Sequence, residues 1–136
     1  MEDTLLHREL TDRIINAFYH VYNKLGSGFA EKVYENALLL ELRQRGFNVK
    51  QQAPIKVFYE GQVVGEFYAD LVVEDLVILE LKADEAIHSK HINQLKNYLR
   101  ATKIEVGLLL NFGPKPEFQR KVFTNAKKKS ATADPS

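Results

Sequence analysis

Apolar positions along this chain change their period twice. Between Thr11 and Gly26 they recur at helical spacing: Ile14, Ile15, Phe18, Val21, Tyr22 and Leu25. Thr11 stands where an N-cap is expected and Gly26 where a helix stops, so the pattern predicts a first helix from about 12 to 25. Residues 1–10 read as a polar, frayed stretch or a short helical lead-in. After the tight Ser27-Gly28 link, Val33, Tyr34, Ala37, Leu38 and Leu42 mark a second helix from about 30 to 45, closed by Gly46. Glu31 and Glu35, four apart, share one face of it.

From Phe47 onwards the period is two. Val49, Ile55, Val57, Phe58 and Tyr59 mark extended chain, with Pro54 at a strand start or edge. Glu60-Gly61 is a hairpin signal between Ile55–Tyr59 and Gln62–Val73. A short turn at Glu74-Asp75 leads into a third strand, Leu76–Lys82. A polar helix follows from about His88 to Ala101, with Ile92, Leu95 and Leu99 on its apolar face. Glu105–Asn111 is dense in apolar residues, as a buried strand is, and Phe118–Phe123 reads as a final edge strand. Helix, helix, three meandering strands, helix, strand and weak strand is an α/β order with a mixed sheet, in which the helix near 88–101 crosses over between the strand near 80 and the strand near 108, right-handed if those strands are parallel.

Composition narrows this picture. The 136 residues suit one domain, expected over 1–126, with 127–136 as a disordered basic and polar tail. There is no cysteine, which excludes disulfides, thiolate metal sites and cysteine nucleophiles and fits a reducing cytoplasm. Apolar runs such as Val106–Leu110 are too short to span a membrane, and no secretory signal is visible at the start. A net charge of +1 argues against tight non-specific binding of nucleic acid, without arguing against a nuclease whose carboxylates add negative charge.

The stretch that carries chemistry is Asp70 followed by Glu80 and Lys82. Strand alternation places Tyr68, Asp70 and Val72 on one face opposite Phe67, Ala69, Leu71 and Val73, and sets Glu80 and Lys82 together with Ile78. Two carboxylates and an ammonium then share one face of a hairpin whose flanks are apolar, where unpaired charge is costly. A divalent cation would compensate it. The geometry demands a register: Asp70 stands opposite Glu80 only if Val73 faces Val77 across a three-residue loop, Glu74 to Leu76, or a bulge with the same effect. Glu-x-Lys by itself reads equally as a surface ion pair.

Several motifs in order resemble a known family. Gly28, Glu31 and Tyr34 match the signature of the GxxExxY proteins, which are classed in the PD-(D/E)XK nuclease superfamily. The resemblance continues through Gly65–Leu71, Leu79–Ala83, Gln94–Leu99 and Val106–Phe112, spanning about residues 11 to 123. It implies a restriction-endonuclease-like core: a mixed central sheet, made of a three-strand antiparallel meander plus a parallel strand, flanked by helices. It further implies that Asp70 is the first strand acid, that Glu80 and Lys82 are the E-x-K pair, and that Glu31 is the helix glutamate completing the site. Gln94 and Tyr98 resemble the Q-x-x-x-Y element that lies near the site and contacts DNA. The proline of the superfamily's name is replaced by Ala69. The expected metal is Mg²⁺ or Mn²⁺, ligated by Asp70, Glu80 and Glu31, with Lys82 as catalytic lysine.

Other polar residues have plainer readings. Glu31 and Glu35 also fit a solvated helix face beside Lys32. Tyr34 fits the core, and Gln94 and Tyr98 fit the polar margin of it. His88 and His91 lack a third soft ligand, which sets zinc aside. The expected function is a metal-dependent nuclease acting on DNA. The rival is an inactive nucleic-acid-binding or protein-interaction module on the same fold, possibly a homodimer. The small size points to a partner protein or oligomer supplying specificity.

Overall fold

A computed structural model describes residues 6–128. Three helices, α1 (Arg8–Leu25), α2 (Glu31–Gln44) and α3 (Ser89–Ala101), flank a sheet of β1 (Val49–Tyr59), β2 (Gln62–Val73), β3 (Val77–Lys82), β4 (Val106–Phe112) and β5 (Pro116–Val122). The strands lie in the order β1-β2-β3-β4-β5. All neighbours are antiparallel except β3 and β4, which α3 joins as a parallel pair. This is the mixed sheet expected from the sequence.

α1 begins earlier than the sequence pattern implied, and Thr11 is not its cap. Thr11 is fully buried inside the first turn, where its hydroxyl donates to the Arg8 carbonyl at 3.1 Å and accepts from Arg120 Nε at 3.3 Å. Arg120, on β5, also donates to the Leu6 carbonyl. A contact between chain ends more than a hundred residues apart therefore holds this turn, and no local pattern reveals it. At the other end Lys127 and Lys128, assigned to the tail by the sequence pattern, fall within the described residues. Asn125–Lys127 forms a 3-10 turn, and Lys128 Nζ donates to the carbonyls of Thr102 and Ile104 at 2.7 and 2.8 Å. Residues 129–136 lie outside the described residues.

Side chains from the two faces of the sheet build two cores. α1 and α2 cover one face, packing Ile14, Phe18, Tyr34, Leu38 and Leu42 on Leu71, Val73, Leu79, Leu81, Leu108 and Leu110. α3 covers the other, packing Leu95, Tyr98 and Leu99 on Ala69, Val72, Ile78 and Leu109. β3 and β4 are buried on both faces, which explains their nearly unbroken apolar sequence.

Strict alternation fails in the middle of β2, and this corrects the sequence reading of that strand. Leu71 and Val73 face α1 and α2, but Ala69 packs on the α3 side and Phe67 meets the Tyr98 ring there. The switch falls at Asp70. Opposite it Gln52 adopts a left-handed φ of 52°, and the β1–β2 ladder steps from Gln51–Leu71 to Ala53–Ala69. The period-two rule breaks because the backbone itself is deformed at that point.

Turns fix the rest of the register. Tyr59 pairs with Gln62 across Glu60 and Gly61, both at positive φ, the conformation of a type I′ hairpin turn that glycine accommodates without strain. Val73 pairs with Val77 across Glu74, Asp75 and Leu76, the three-residue loop that the facing acids require. β2 then pairs with β3 only from Leu71 to Val73, whereas β3 stays with β4 from Val77 to Lys82. A fork therefore opens between β2 and β3 just beyond Leu71 and Leu79, and the rest of the β1–β2 hairpin projects past β3.

Candidate active site

At the mouth of the fork, side chains take over the ladder. The Asp70 backbone N–H donates to Glu80 Oε2 at 2.9 Å, and the Leu81 N–H donates to Asp70 Oδ2 at 2.8 Å. Each carboxylate thus satisfies a backbone donor that a strand partner would otherwise take. The two acids are held facing one another by the point where two strands part.

Electrostatics at this point oppose full ionisation. Glu80 is only 5% exposed, and burial, followed by the nearby Asp70 carboxylate, pushes its pKa up to about 8. Asp70 is also raised, by burial first, against the pull of the Leu81 N–H. Glu31, exposed at the first turn of α2, is raised by partial desolvation, with Lys82 opposing and Asp70 adding to the rise. Lys82 favours the charged form of all three acids, so it is the cation that the cluster shares.

Glu35 has a different environment from the solvated helix face considered for it. It is buried, and its Oε2 accepts from Lys32 Nζ at 3.0 Å, Gln51 Nε2 at 2.7 Å and Gln52 Nε2 at 3.0 Å. Gln52 also donates to Asp70 Oδ1 at 3.4 Å. The amides of β1 therefore link α2 to the fork. Tyr34 is a core residue: its hydroxyl donates to the Gly26 carbonyl at 2.5 Å and its ring stacks on Phe112.

From the opposite face α3 brings Tyr98. Burial, then the charges of Glu80 and Asp70, raise its hydroxyl to about 12, so it remains a proton donor beside the acids. Gln94, one turn earlier, lines the groove next to Tyr98. The structure thus brings Asp70 and Glu80 together by hydrogen bonds, places Lys82, Glu31 and Tyr98 within reach of their charges, and sets Gln94 in the groove beside Tyr98.

Sequence reasoning missed several neighbours. Gln51 and Gln52 are two amides in a row where a strand pattern calls for an apolar residue, and that interruption was the available signal. Nothing local marks the buried His91, whose Nε2 lies 3.5 Å from Asp84 Oδ2. Burial, then Lys82, lowers its pKa. Asp84 is fixed by Asn111: its N–H donates to Asn111 Oδ1 at 2.9 Å, and Asn111 Nδ2 donates back to its carbonyl at 3.0 Å. Gly113 completes this corner, since a Cβ there would lie 2.0 Å from the Asp84 carbonyl oxygen.

The donor set fits a hard cation. Among the described residues no three acid or histidine side chains close into a metal cage. A buried and a half-buried carboxylate that repel one another are nevertheless the set that Mg²⁺ uses when waters and a substrate phosphate complete its shell.

A family model described as PD-(D/E)XK nuclease superfamily matches residues 8–121. The chain belongs to the PD-(D/E)XK nuclease superfamily. A search of curated proteins finds no match. A solved structure titled "Crystal structure of SSO0001" resembles this PD-(D/E)XK domain with a TM-score of 0.54 and 18% identity, covering 68% of this chain and 50% of that one. The chain thus spans half the length of that structure, and the likeness concerns the fold. The match takes in the whole fork, from Asp70 on β2 to Lys82 at the end of β3. No helix among the described residues is long and apolar enough to cross a membrane.

Proposed function

We propose that this domain is a Mg²⁺- or Mn²⁺-dependent nuclease that hydrolyses phosphodiester bonds in DNA. The observation that carries this reading is the fork itself. Asp70 and Glu80 face one another where β2 and β3 part, both with raised pKa and Glu80 buried, and with Lys82 as their shared cation. A structural ion-pair network does not need two acids pressed together.

Asp70 and Glu80 would hold the cation, with Glu31 on the α2 side as a further acid, directly or through water. The cation, when bound, supplies Lewis acidity and a water of lowered pKa. The chain's own groups do the remainder. The Lys82 ammonium donates to the attacking water or to the phosphate oxygen on which charge develops. Tyr98, protonated throughout the working range, donates to substrate from the α3 side, and Gln94 orients the strand beside it. Glu35, through Gln51 and Gln52, keeps β1 against Asp70. The reading of DNA rests on the resemblance of Gln94 and Tyr98 to the Q-x-x-x-Y element. The GxxExxY branch, a cytoplasmic setting and a partner or second copy supplying specificity belong to the same proposal.

Calorimetric titration of Mn²⁺ into wild type and Asp70→Asn, with cleavage assays on single- and double-stranded DNA from the same preparations, tests it. The expected result is binding and cleavage in wild type and neither in the variant. Lys82→Gln is expected to bind Mn²⁺ and to lose turnover by roughly 10² or more. A wild-type protein that takes up no Mn²⁺, with or without DNA, removes the nuclease reading.

A further inference from the structure

A groove of about 520 Å³ runs between α3 and the projecting part of the β1–β2 hairpin. Its walls include Phe67, Lys90, Asn93, Gln94, Asn97 and Tyr98. Tyr98 is the wall that this groove shares with the carboxylate cluster, since Glu80 and Asp70 act on its hydroxyl. The groove therefore lies beside the fork, with Tyr98 between them.

Its lining has a definite chemistry. Phe67 is 45% exposed, a large aromatic surface left open beside a site, and its ring lies 5.9 Å from that of Tyr98, tilted by 40°. Asn93, Gln94 and Asn97 each bring an amide with both donor and acceptor groups, and none bonds to another described residue. No acid lines the groove, and Lys90 stands on its wall. Two other cavities lack this combination. One is formed by charged residues around Arg8, Asp12 and Arg45, the other around Arg43, Glu74 and Asp75.

The deformation at Asp70 produces the groove. Because β2 changes sides there, Phe67 comes onto the α3 face, the face that carries Tyr98. Regular alternation from Leu71 would have turned Phe67 towards α2. The same distortion that presents Asp70 to the fork thus presents an aromatic ring next to it.

We propose that this groove receives one unpaired nucleobase of the substrate strand, stacked on Phe67 and hydrogen-bonded along its edge by Asn93, Gln94 and Asn97. An aromatic face accepts any base, and side-chain amides match the mixed donors and acceptors of base edges. Inside a duplex the ring faces are stacked and the Watson–Crick edges are paired, so the groove selects single-stranded or frayed DNA. The absence of acids and the presence of Lys90 suit the adjoining phosphates. The proposal rests on the nuclease reading only for the identity of the strand, and it concerns binding, so the two fail separately.

The test uses the Asp70→Asn chain in EDTA, with oligodeoxythymidylate and a duplex of equal length as probes and one 2-aminopurine as reporter. The expected result is preference for the single strand, with 2-aminopurine fluorescence quenched on binding. Phe67→Ala should weaken single-strand binding about tenfold and abolish the quenching, whereas Phe67→Trp should preserve both. Asn97→Ala should weaken binding several-fold, and thermal melting confirms that each variant is folded. Equal affinity for both probes, or Phe67→Ala and Asn97→Ala binding and quenching as their parent does, overturns the proposal. Quenching that depends on Phe67 in a protein that cleaves nothing upholds the groove and removes the nuclease. Cleavage of single strands with undiminished binding by Phe67→Ala does the reverse.

Discussion

At Glu80, burial and the facing Asp70 both work against ionisation, and the consequence is measurable as stability. The folded chain binds this proton more tightly than the unfolded chain does, with a pKa of about 8 against an ordinary 4.5. As pH rises through that window the unfolded state releases its proton first, so the metal-free protein loses stability between about 4.5 and 8 and levels off above. Glu80→Gln keeps an oxygen for the Asp70 N–H and removes the charge. It should therefore melt like wild type at pH 4.5 and roughly 3–8 °C higher at pH 8.5, in calorimetric scans without metal. A melting difference that does not change with pH would show that Glu80 ionises without strain. Residues of this kind were partly legible. Asp70, Glu80 and Lys82 could be brought together on paper because strand parity and one loop length determine their placement. Glu35 and His91 could not, since their burial depends on Gln51, Gln52 and Asp84 arriving from elsewhere in the chain.

Among the elements, β1 and β2 show most clearly where pattern reading stops. Their hairpin turn and the three-residue loop to β3 follow from turn chemistry and the facing acids, and both were readable. The side switch at Asp70 was not, because it depends on a left-handed Gln52 on the neighbouring strand. A non-glycine residue in that conformation costs on the order of 1 kcal/mol. Gln52→Gly should accordingly relieve strain while removing an amide that bonds Glu35 and Asp70. The expected outcome is denaturant stability unchanged or raised by up to about 1 kcal/mol, together with a several-fold loss of cleavage. A variant that loses neither activity nor stability would mean that the Gln52 amide contributes nothing to placing Asp70. α1 makes the complementary point: its interior was readable from periodicity, but its start depends on Arg120 of β5.

At the scale of the molecule, the sheet separates two cores that serve different ends of the site. The α1–α2 core carries Glu31 and Glu35, and the smaller α3 core carries Tyr98 and the nucleobase groove. Leu95 is fully buried in the smaller core, and its side chain is the surface on which Gly107 rests, so close that a Cβ there would meet it at 2.6 Å. Leu95→Ala should cost about 2–5 kcal/mol in denaturant unfolding. It should also loosen α3 relative to β4, seen as faster amide exchange over Ser89–Ala101 than over α1. Exchange that accelerates equally in both helices would show that the two cores open as one unit. The α/β class and the crossover by α3 were visible from element order, and the parallel pairing of β3 with β4 was implied by the family resemblance. The division of labour between the cores was not visible, because it depends on which face each helix covers.

The corner where Gly113 abuts Asp84 has a consequence for how this protein can vary. Gly113 presents no side chain to substrate and belongs to no motif, yet its bare Cα leaves room for the Asp84 carbonyl and so moulds the chain leaving Lys82. A survey of tolerated substitutions would find the position as intolerant as an acid of the fork. Its intolerance would be one of shape, imposed through backbone on backbone. Variants that fold but position Lys82 poorly should be sought here, at a residue that an inspection of charges alone would pass over.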